Sequence, residues 1–125
     1  MTFARLGPLG AEVPVVLRDG VAYDLRPLTN DIDGAFFAAD GTARAQAALA
    51  SGNLTELDGA SSLRVGAPVA RPGKIVCIGL NYRHHAAESN SPIPQHPVLF
   101  HKAVSTLQNP GDPILIPTHM ANTSP

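Results

Sequence analysis

The chain has 125 residues, of which 44% are hydrophobic, and its nine Lys and Arg against ten Asp and Glu give a formal net charge of −1. The length suits one modest domain, or a small domain with part of another, and the apolar content argues against wholesale disorder. The near balance of charge argues against nucleic acid or an anionic membrane surface as the main partner. No apolar stretch approaches the roughly 20 residues that span a bilayer, and the N-terminus lacks the apolar region of a signal peptide. We therefore predict a cytoplasmic protein.

The first part of the chain predicts short β-strands separated by turns. The segments TFARL, VPVVL and VAYDL have strand composition. Between the second and the third, Arg18-Asp19-Gly20 has the composition of a tight hairpin turn. Residues 1–30 are therefore expected to form antiparallel strands.

Residues 31–51 change to a helical composition. Asp31 or Asp33 is placed to cap a short helix through its side-chain carboxylate. Thr42 is placed to cap the alanine-rich ARAQAALA, and Gly52 to end it. Two helices are therefore predicted here.

The use of charged residues changes near residue 70, where ARPGK has the composition of a linker. Among the acidic residues only Glu88 and Asp112 follow Arg71, whereas all five histidines do. The histidines are His84, His85, His96, His101 and His119. Because imidazole titrates near neutral pH, any chemistry is expected in this second part. We predict one domain at 1–70 and the start of another at 71–125.

The second part opens on KIVCIG, a β-branched run that predicts a buried strand ending at Gly79. Cys77 within it is expected to be a buried small apolar residue. Asn81 is predicted to be the N-cap of a short helix over residues 82–89, and Asn90 to help end it.

On that helix His85 and Glu88 would share a face, because they are three positions apart. The carboxylate can accept a hydrogen bond from one imidazole nitrogen and leave the other free to take a proton from water. His84 precedes Glu88 by four positions and could compete for it. From spacing alone, a catalytic pair and a solvated surface pair both stay open.

A longer pattern resembles a known family. The runs KIVCIGLNYRHHAAE, PVLFHKAVSTL and PGDPILIP follow one another between Lys74 and Pro117. They are similar to the opening of the catalytic domain in the fumarylacetoacetate hydrolase family, whose members read close to K-I-V-x-x-G-x-N-Y-x-x-H-x-x-E, then P-x-x-F-x-K, then G-D-x-I-x-x-P. Two positions depart from the pattern, since His84 stands where Asp is common and Ala103 where proline is common. Residues 1–65 resemble, more weakly, the N-terminal domain of bacterial members.

The resemblance implies an α+β, mostly β fold. A small N-terminal α/β domain would be followed by the first strands and the lid helix of a mixed β-sandwich roll. It also implies C–C bond hydrolysis, decarboxylation or isomerisation of small acylpyruvate, diketo or 2-oxo acids with bound Mg²⁺ or Mn²⁺. A homodimer is the usual assembly of such proteins.

The resemblance also implies roles for particular residues. His85 would be the general base and Glu88 its orienting partner on a mobile lid helix. Lys102 would hold a substrate carboxylate, although a structural salt bridge is an equal alternative. Asn81 and Tyr82 belong to the same motif and are expected near the substrate, with capping and packing as their structural alternatives.

The metal ligands of the family are a Glu-x-Glu pair and a later Asp, which lie beyond the matching segment. After Glu88 this chain offers only Asp112, in the turn PGDP, where a structural role is expected. No metal ligand is therefore assigned in this chain. The ligands are expected in a longer chain or in a second polypeptide carrying the rest of the catalytic domain. The chain alone is then predicted to be inactive or poorly soluble, because its strand edges would be unpaired.

Two other classes of function stay open. One is a non-catalytic binding or interaction module derived from a truncated form of the family fold. The other is a zinc site built from some of the five histidines, although no histidine spacing here matches a known zinc pattern.

Overall fold

A computed structural model describes residues 1–116 of the chain. Its strands are β1 Thr2–Leu6, β2 Val13–Arg18, β3 Val21–Asp24, β4 Ile75–Gly79 and β5 Val98–Lys102. Its α-helices are α1 Gly34–Ala38, α2 Gly41–Ala50 and α3 Arg83–Glu88. This part of the chain is therefore α+β, as the sequence predicts. None of its helices is long and apolar enough to cross a membrane.

The chain forms two compact units. One comprises Met1–Ala70 together with residues 108–116, and the other comprises Arg71–Leu107. The predicted domain limits, 1–70 and 71–125, and the β-sandwich roll of the complete family domain stay predictions.

The first unit contains an antiparallel sheet in the order β1-β2-β3. Its register places Phe3 opposite Val16, and Val16 opposite Tyr23. The turn between β2 and β3 has φ of 53° at Asp19 and 83° at Gly20. Two successive positive φ values are those of the turn that matches the twist of a two-residue hairpin, so the predicted turn is confirmed.

Both faces of this sheet are covered. Val15 and Val16 are each 0% exposed, and neighbouring strand residues point to opposite faces. Val15 belongs to a cluster with Leu6, whereas Val16 belongs to a second cluster with Ala45 of α2. Burial on both sides explains why β2 has a continuous apolar run rather than an alternating one.

The helix α1 begins as the sequence predicts. Asp33 is its N-cap, and Oδ1 accepts hydrogen bonds from the backbone N–H groups of Ala35 at 3.0 Å and Phe36 at 3.1 Å. Of the two predicted caps, Asp33 is therefore the one used.

The predicted start of α2 is wrong. Its N-cap is Asp40, in the left-handed region at φ 53° with no side-chain capping bond, and Thr42 lies inside the helix. A Cβ at Gly41 would lie 2.3 Å from a ring carbon of Phe36, so the two helices meet at a glycine. This close contact explains why α2 starts at Gly41 rather than after the better capping residue.

The predicted end of α2 is confirmed. Gly52 has φ 70°, and its N–H donates to the Leu49 carbonyl at 3.3 Å. The N–H of Asn53 donates to the Ala48 carbonyl at 3.0 Å. These two bonds form a Schellman motif, in which a left-handed residue satisfies the last helical carbonyls.

Asp24, at the end of β3, is paired with Arg26. The guanidinium Nε donates to Asp24 Oδ2 at 2.8 Å, and the Arg26 backbone N–H donates to Oδ1 at 2.8 Å. The hydrogen bond from the Arg26 side chain holds the pKa of Asp24 below its ordinary value, against the opposing effect of burial.

The second unit contains the antiparallel pair β4 and β5. Ile75 lies opposite Lys102, and Gly79 opposite Val98. The predicted burial of β4 is wrong, since Val76 is 54% exposed. The free thiol Cys77 is only half-buried, and it lies on the other face of the strand. Exposed and half-buried residues therefore alternate along β4, because successive side chains of a strand point to opposite faces.

The turn into α3 differs from the prediction by one residue. Gly79 ends β4 as expected, but the positive φ of 48° belongs to Leu80. The N-cap of α3 is Tyr82 rather than Asn81, and it makes no side-chain capping bond. The backbone of Tyr82 is extended, with φ −124°, so Tyr82 is outside the helix and Arg83 is its first residue.

The end of α3 follows the prediction. Asn90 has φ 49°, and its N–H donates to the Ala87 carbonyl at 3.1 Å. The N–H of Ser91 donates to the Ala86 carbonyl at 2.8 Å, which completes a second Schellman motif. Ala86 itself is 1% exposed and anchors the inner face of the helix.

Candidate functional site

The predicted pair His85 and Glu88 lies on one face of α3. Nδ1 of His85 is 3.9 Å from Oε2 of Glu88, and the two side chains are 61% and 76% exposed. This separation exceeds hydrogen-bond length, so the two side chains are not hydrogen-bonded to each other in this conformation. In the absence of substrate, hydrogen bonds between catalytic groups are often long and shorten when a substrate binds.

The atom of His85 that faces Glu88 decides what the ring can do. Nδ1 is the ring nitrogen that lies near the carboxylate. If Nδ1 carries the proton of the neutral ring, Nε2 is the nitrogen with a free lone pair. The predicted roles of His85 as a general base and of Glu88 as its orienting partner require these two groups to lie close together, and they stay predictions.

The other predicted site residues divide into two groups. Asn81 and Tyr82 immediately precede α3 and are exposed, Tyr82 to 73%. Lys102 lies on β5 opposite Ile75, at the end of the β4–β5 strand pair that is far from Gly79. At about 3.3 Å per residue, the strand separates these two ends by about 13 Å. The pairing of β4 with β5 therefore places Lys102 away from the end of the strand pair at which α3 begins.

Lys102 is exposed, and it forms no ion pair with any residue from 1 to 116. The structural salt bridge that the sequence leaves open therefore has no partner in that range. Its role in holding a substrate carboxylate stays a prediction.

A cleft of about 440 Å³ lies within the second unit, beside the start of α3. Among the predicted site residues, Asn81 lines it. The remaining lining residues are Ile78, Gly79, Leu80, Arg83, Ile93, Pro94, Gln95, His96 and Pro97. Sequence reasoning missed this cleft because His96 and Arg83 match no motif and are brought together only by the strand register.

The residues from 1 to 116 do not supply a metal site. No group of three or more His, Cys, Asp or Glu side chains in this range could hold a metal ion. They therefore do not fit Mg²⁺ or Mn²⁺, and we derive no chemical step through a metal from them. His119, a member of the alternative histidine zinc site, and Pro117 lie outside the described residues.

Asp112 has the structural role expected of it. Arg64 Nη2 donates to Oδ2 at 2.6 Å, and Asn109 Nδ2 donates to the same oxygen at 3.1 Å. The Arg64 hydrogen bond holds the pKa of Asp112 below its ordinary value, against the opposing effect of desolvation, while Asn109 lowers it further. Its carboxylate is already engaged and is therefore a poor candidate for a metal ligand.

A buried charge network in the first unit was not predicted. Arg5 donates from Nε to Asp31 Oδ1 at 2.6 Å and from Nη2 to Asp31 Oδ2 at 2.9 Å. The same Nη2 donates to Glu12 Oε2 at 3.2 Å, and Oε1 of Glu12 accepts from Arg64 Nη1 at 3.3 Å. The Glu12 side chain is only 3% exposed. Arg5 and Asp31 are 26 positions apart, so local sequence patterns carry no signal of this pairing.

One family model matches the second part of the chain. The model of the fumarylacetoacetate (FAA) hydrolase C-terminal domain matches residues 74–124, a segment that includes α3, β5 and the turn at Asp112. The second part of the chain is therefore similar to this domain, in agreement with the resemblance predicted from the sequence.

Several curated relatives match the chain over nearly all of its length. The 2,4-didehydro-3-deoxy-L-rhamnonate hydrolase of Sphingomonas sp. (strain SKA58) is 40% identical over 119 residues, which cover 94% of this chain and 39% of that protein. A putative hydrolase of Burkholderia multivorans is 40% identical and one of Burkholderia lata is 39% identical, each over 124 residues covering 98% of this chain and 43% of the relative. The chain thus spans about two-fifths of the length of these relatives, and the likeness includes its N-terminal unit.

Proposed function

We propose that this chain is part of a hydrolase that cleaves a C–C bond in a small 2,4-dioxo or acylpyruvate acid. The observation that carries the proposal is the family match over residues 74–124, within which His85 and Glu88 share the exposed face of α3. Hydrolysis is favoured over decarboxylation and isomerisation because the relatives are named as hydrolases.

The name of the Sphingomonas relative supports this substrate class. It describes a sugar acid that is 3-deoxy and 2,4-didehydro. Read chemically, such an acid carries oxo groups at C2 and C4 on either side of a CH₂ group. This is the acylpyruvate arrangement that the family resemblance implies. When the bond between C3 and C4 breaks, C3 keeps the electron pair, and the carbonyl at C2 stabilises that charge as an enolate. This stabilisation is what allows the C–C bond to be cleaved.

In the proposed reaction, His85 acts on water. Nε2 takes a proton from a water molecule while Glu88 accepts a hydrogen bond from Nδ1–H and stabilises the imidazolium that forms. The resulting hydroxide adds to the carbonyl carbon at C4. The C3–C4 bond then breaks, its electron pair remains on C3 as the enolate of pyruvate, and that carbon takes up a proton. Asn81, Tyr82 and Lys102 are proposed to contact the substrate.

The proposal includes a divalent cation, Mg²⁺ or Mn²⁺, held by ligands outside residues 1–116. When bound, such a cation would polarise the oxo-acid oxygens of the substrate. It also includes assembly as a homodimer, or with a polypeptide that carries the rest of the catalytic domain. These parts rest on the family resemblance.

A chimera tests the function. In it this chain replaces the matching two-fifths of the Sphingomonas hydrolase, and release of pyruvate from a 2,4-dioxo acid is followed with Mg²⁺ present. We expect turnover by the chimera, and a decrease in kcat of about 10²–10⁴ in the variant His85→Ala, because a general base contributes about that factor. His84→Ala is the matched control, since it removes the neighbouring exposed imidazole and should leave kcat nearly unchanged.

Three results would oppose the proposal. A folded chimera that releases no pyruvate contradicts the activity. An active chimera in which His85→Ala and His84→Ala behave alike contradicts the role of His85, and an inert His85 is what the interaction-module alternative predicts. Metal-dependent turnover by this chain alone would show that the metal ligands lie within it.

A further inference from the structure

Four aspartates of the first unit are each followed by a glycine. The pairs are Asp19-Gly20, Asp33-Gly34, Asp40-Gly41 and Asp58-Gly59. In such a pair the backbone nitrogen of glycine can attack the side-chain carboxyl carbon of aspartate, because glycine has no Cβ to hinder the approach. An N–C bond forms, a C–O bond breaks, and one water leaves to give a succinimide ring. Water then adds to either ring carbonyl and gives back aspartate or gives isoaspartate, whose main chain runs through the side-chain CH₂.

The pair at the start of α1 is held by hydrogen bonds. Oδ1 of Asp33 accepts from the backbone N–H groups of Ala35 at 3.0 Å and Phe36 at 3.1 Å. Both bonds must break before the carboxyl carbon can turn towards the nitrogen of Gly34. Because these bonds also stabilise the helix, the fold opposes succinimide formation at Asp33.

The pair Asp40-Gly41 lies where α1 and α2 meet. Gly41 is buried, and a Cβ there would overlap the ring of Phe36. The carbonyl of Asp40 accepts from the N–H of Arg44 at 3.1 Å. This backbone is therefore enclosed on one side and hydrogen-bonded on the other, so the nitrogen of Gly41 has no room to move towards the carboxyl carbon.

The pair Asp19-Gly20 forms the turn between β2 and β3. The register places Arg18 opposite Val21, so strand pairing holds both ends of this turn at a fixed separation. The carboxylate also has a partner, since Nε of Arg18 is 3.5 Å from Asp19 Oδ2. Both constraints oppose the approach of the Gly20 nitrogen to the carboxyl carbon.

The pair Asp58-Gly59 has none of these constraints. Both residues are exposed, and the Asp58 carboxylate makes no ion pair or hydrogen bond with any residue from 1 to 116. In the same range the N–H of Gly59 has no protein acceptor. Gly59 has φ 67°, and apart from its chain neighbours a Cβ there would meet only Ser62 Oγ, at 3.9 Å. The backbone nitrogen and the carboxyl carbon are therefore free to approach each other.

We propose that Asp58 is a site of spontaneous conversion to isoaspartate in the folded chain, through the succinimide that it forms with Gly59. Asp58-Gly59 is the pair that combines an unengaged carboxylate, an unengaged backbone nitrogen and open surroundings. The inference depends on the first unit alone and not on the proposed hydrolysis.

The conversion should weaken the first unit, because the chain is anchored on both sides of Asp58. The N–H of Leu57 donates to the Ala22 carbonyl of β3 at 2.8 Å, and the Leu57 carbonyl accepts from the N–H of Ala60 at 3.3 Å. Leu57 and Ala60 also pack against the buried cluster that contains Val15. Isoaspartate adds one main-chain carbon between these two anchors, so both cannot keep their present contacts.

The test is prolonged incubation of the folded full chain at neutral pH and physiological temperature. Samples are digested with a protease that cleaves before aspartate but not before isoaspartate, and the peptides are identified by mass spectrometry. We expect missed cleavage at Asp58 to accumulate at unchanged peptide mass. It should accumulate on the order of tenfold faster than at Asp33, the factor that one capping interaction can contribute. In urea the four pairs should react at similar rates, because the folded contacts are lost.

Asp58→Glu is the matched control. It keeps the charge, but ring closure would need a six-membered ring, which forms far more slowly. This variant should accumulate no isomer at position 58 and should keep its melting temperature during incubation, whereas the melting temperature of the wild type should fall. Asp58→Asn should form the same succinimide faster, with loss of ammonia.

The proposal is overturned if the chain isomerises at Asp58 in urea but not when folded. It is also overturned if Asp33 and Asp58 react at the same rate in the folded chain, since the contacts described would then not control the reaction. A melting temperature that stays constant while isoaspartate accumulates would refute the predicted weakening of the first unit. Loss of hydrolysis in the chimera would leave these results unchanged, so the two proposals fail separately.

Discussion

Replacing Arg5 by alanine should destabilise the first unit more than any other single loss of charge in the sheet. Arg5 lies on β1 with its side chain 11% exposed, and its guanidinium makes four hydrogen bonds. Two of these bonds reach Asp31, one reaches Glu12, and one, of 3.1 Å, reaches the Ala67 carbonyl. Because the acidic partners are themselves largely buried, they cannot regain full hydration when the guanidinium is removed.

The size of the effect follows from what Arg5→Ala leaves behind. Glu12 keeps its contact with Arg64 at 3.3 Å, but the Asp31 carboxylate loses both of its guanidinium hydrogen bonds. Breaking one partner of a buried ion pair costs about 3–5 kcal/mol. A domain of this size has a total stability of about 5–15 kcal/mol. At about 4–8 °C for each kcal/mol, the melting temperature should fall by at least about 12 °C.

The assay is urea unfolding followed by circular dichroism, with thermal unfolding as a second measurement. Arg18→Ala is the matched control, because Arg18 lies on the neighbouring strand and pairs with Asp19 at 3.5 Å, yet the side chains are 54% and 90% exposed. An exposed pair of this kind contributes about 0–1 kcal/mol. If Arg5→Ala fails to fold, Arg5→Lys keeps the charge but not the paired donors, and it should still cost more than Arg18→Ala.

Equal losses of stability in Arg5→Ala and Arg18→Ala would refute this reasoning. That result would mean that Asp31 and Glu12 find water or other donors once the guanidinium is gone. The network would then contribute no more than a surface ion pair does.

Three further predictions concern particular residues. The arginine partner of each carboxyl lowers the pKa of Asp24 and of Asp112 from 3.8, so the stability that these two groups contribute is present above about pH 4 and is lost as the pH falls through their lowered pKa values. Urea unfolding from pH 6 to pH 2 should show this decrease in stability, and the decrease should be smaller in Asp112→Asn. An unchanged dependence of stability on pH in that variant would contradict the role of Asp112. Gly41→Ala should destabilise by about 1–3 kcal/mol through overpacking, because its Cβ would lie 2.3 Å from the ring of Phe36, and a stability equal to the wild type would show that the two helices can separate freely. Asn90→Gly should be neutral or slightly stabilising and Asn90→Val destabilising, because φ is 49° there, and thermal unfolding that ranks the two variants in the opposite order would contradict the helix end described.

Features that depend on a few neighbouring residues could be predicted from the sequence. The Asp19-Gly20 turn, the Asp33 cap and the glycine end of α2 each arise from the chemistry of one or two side chains. The two capping predictions that failed, at Thr42 and Asn81, concern residues with suitable side chains in the wrong backbone position. Packing against Phe36 decided the first of these, and the extended conformation of Tyr82 decided the second.

The candidate site was predictable to the same extent. The spacing of three positions predicts that His85 and Glu88 share a helix face, and in the structure their side chains lie 3.9 Å apart on that face. The position of Lys102 depends on the pairing of β4 with β5, and that register separates it from the end of the hairpin at which α3 begins. The cleft at Arg83 and His96 depends on the same long-range register, so no short motif could reveal it.

The two acidic residues that follow Arg71 illustrate why chemistry is proposed at one and not the other. Asp112 is bound by Arg64, whose cation is permanent, so the partner of this carboxylate does not change with pH. Glu88 lies 3.9 Å from His85, whose imidazole can exist in a neutral or a protonated form. A carboxylate beside a permanent cation fixes structure, whereas one beside an imidazole stabilises a charge that appears only when the ring takes a proton. Because the two carboxylates have different partners, we propose proton transfer at His85 and Glu88 on α3 and a structural role for Asp112.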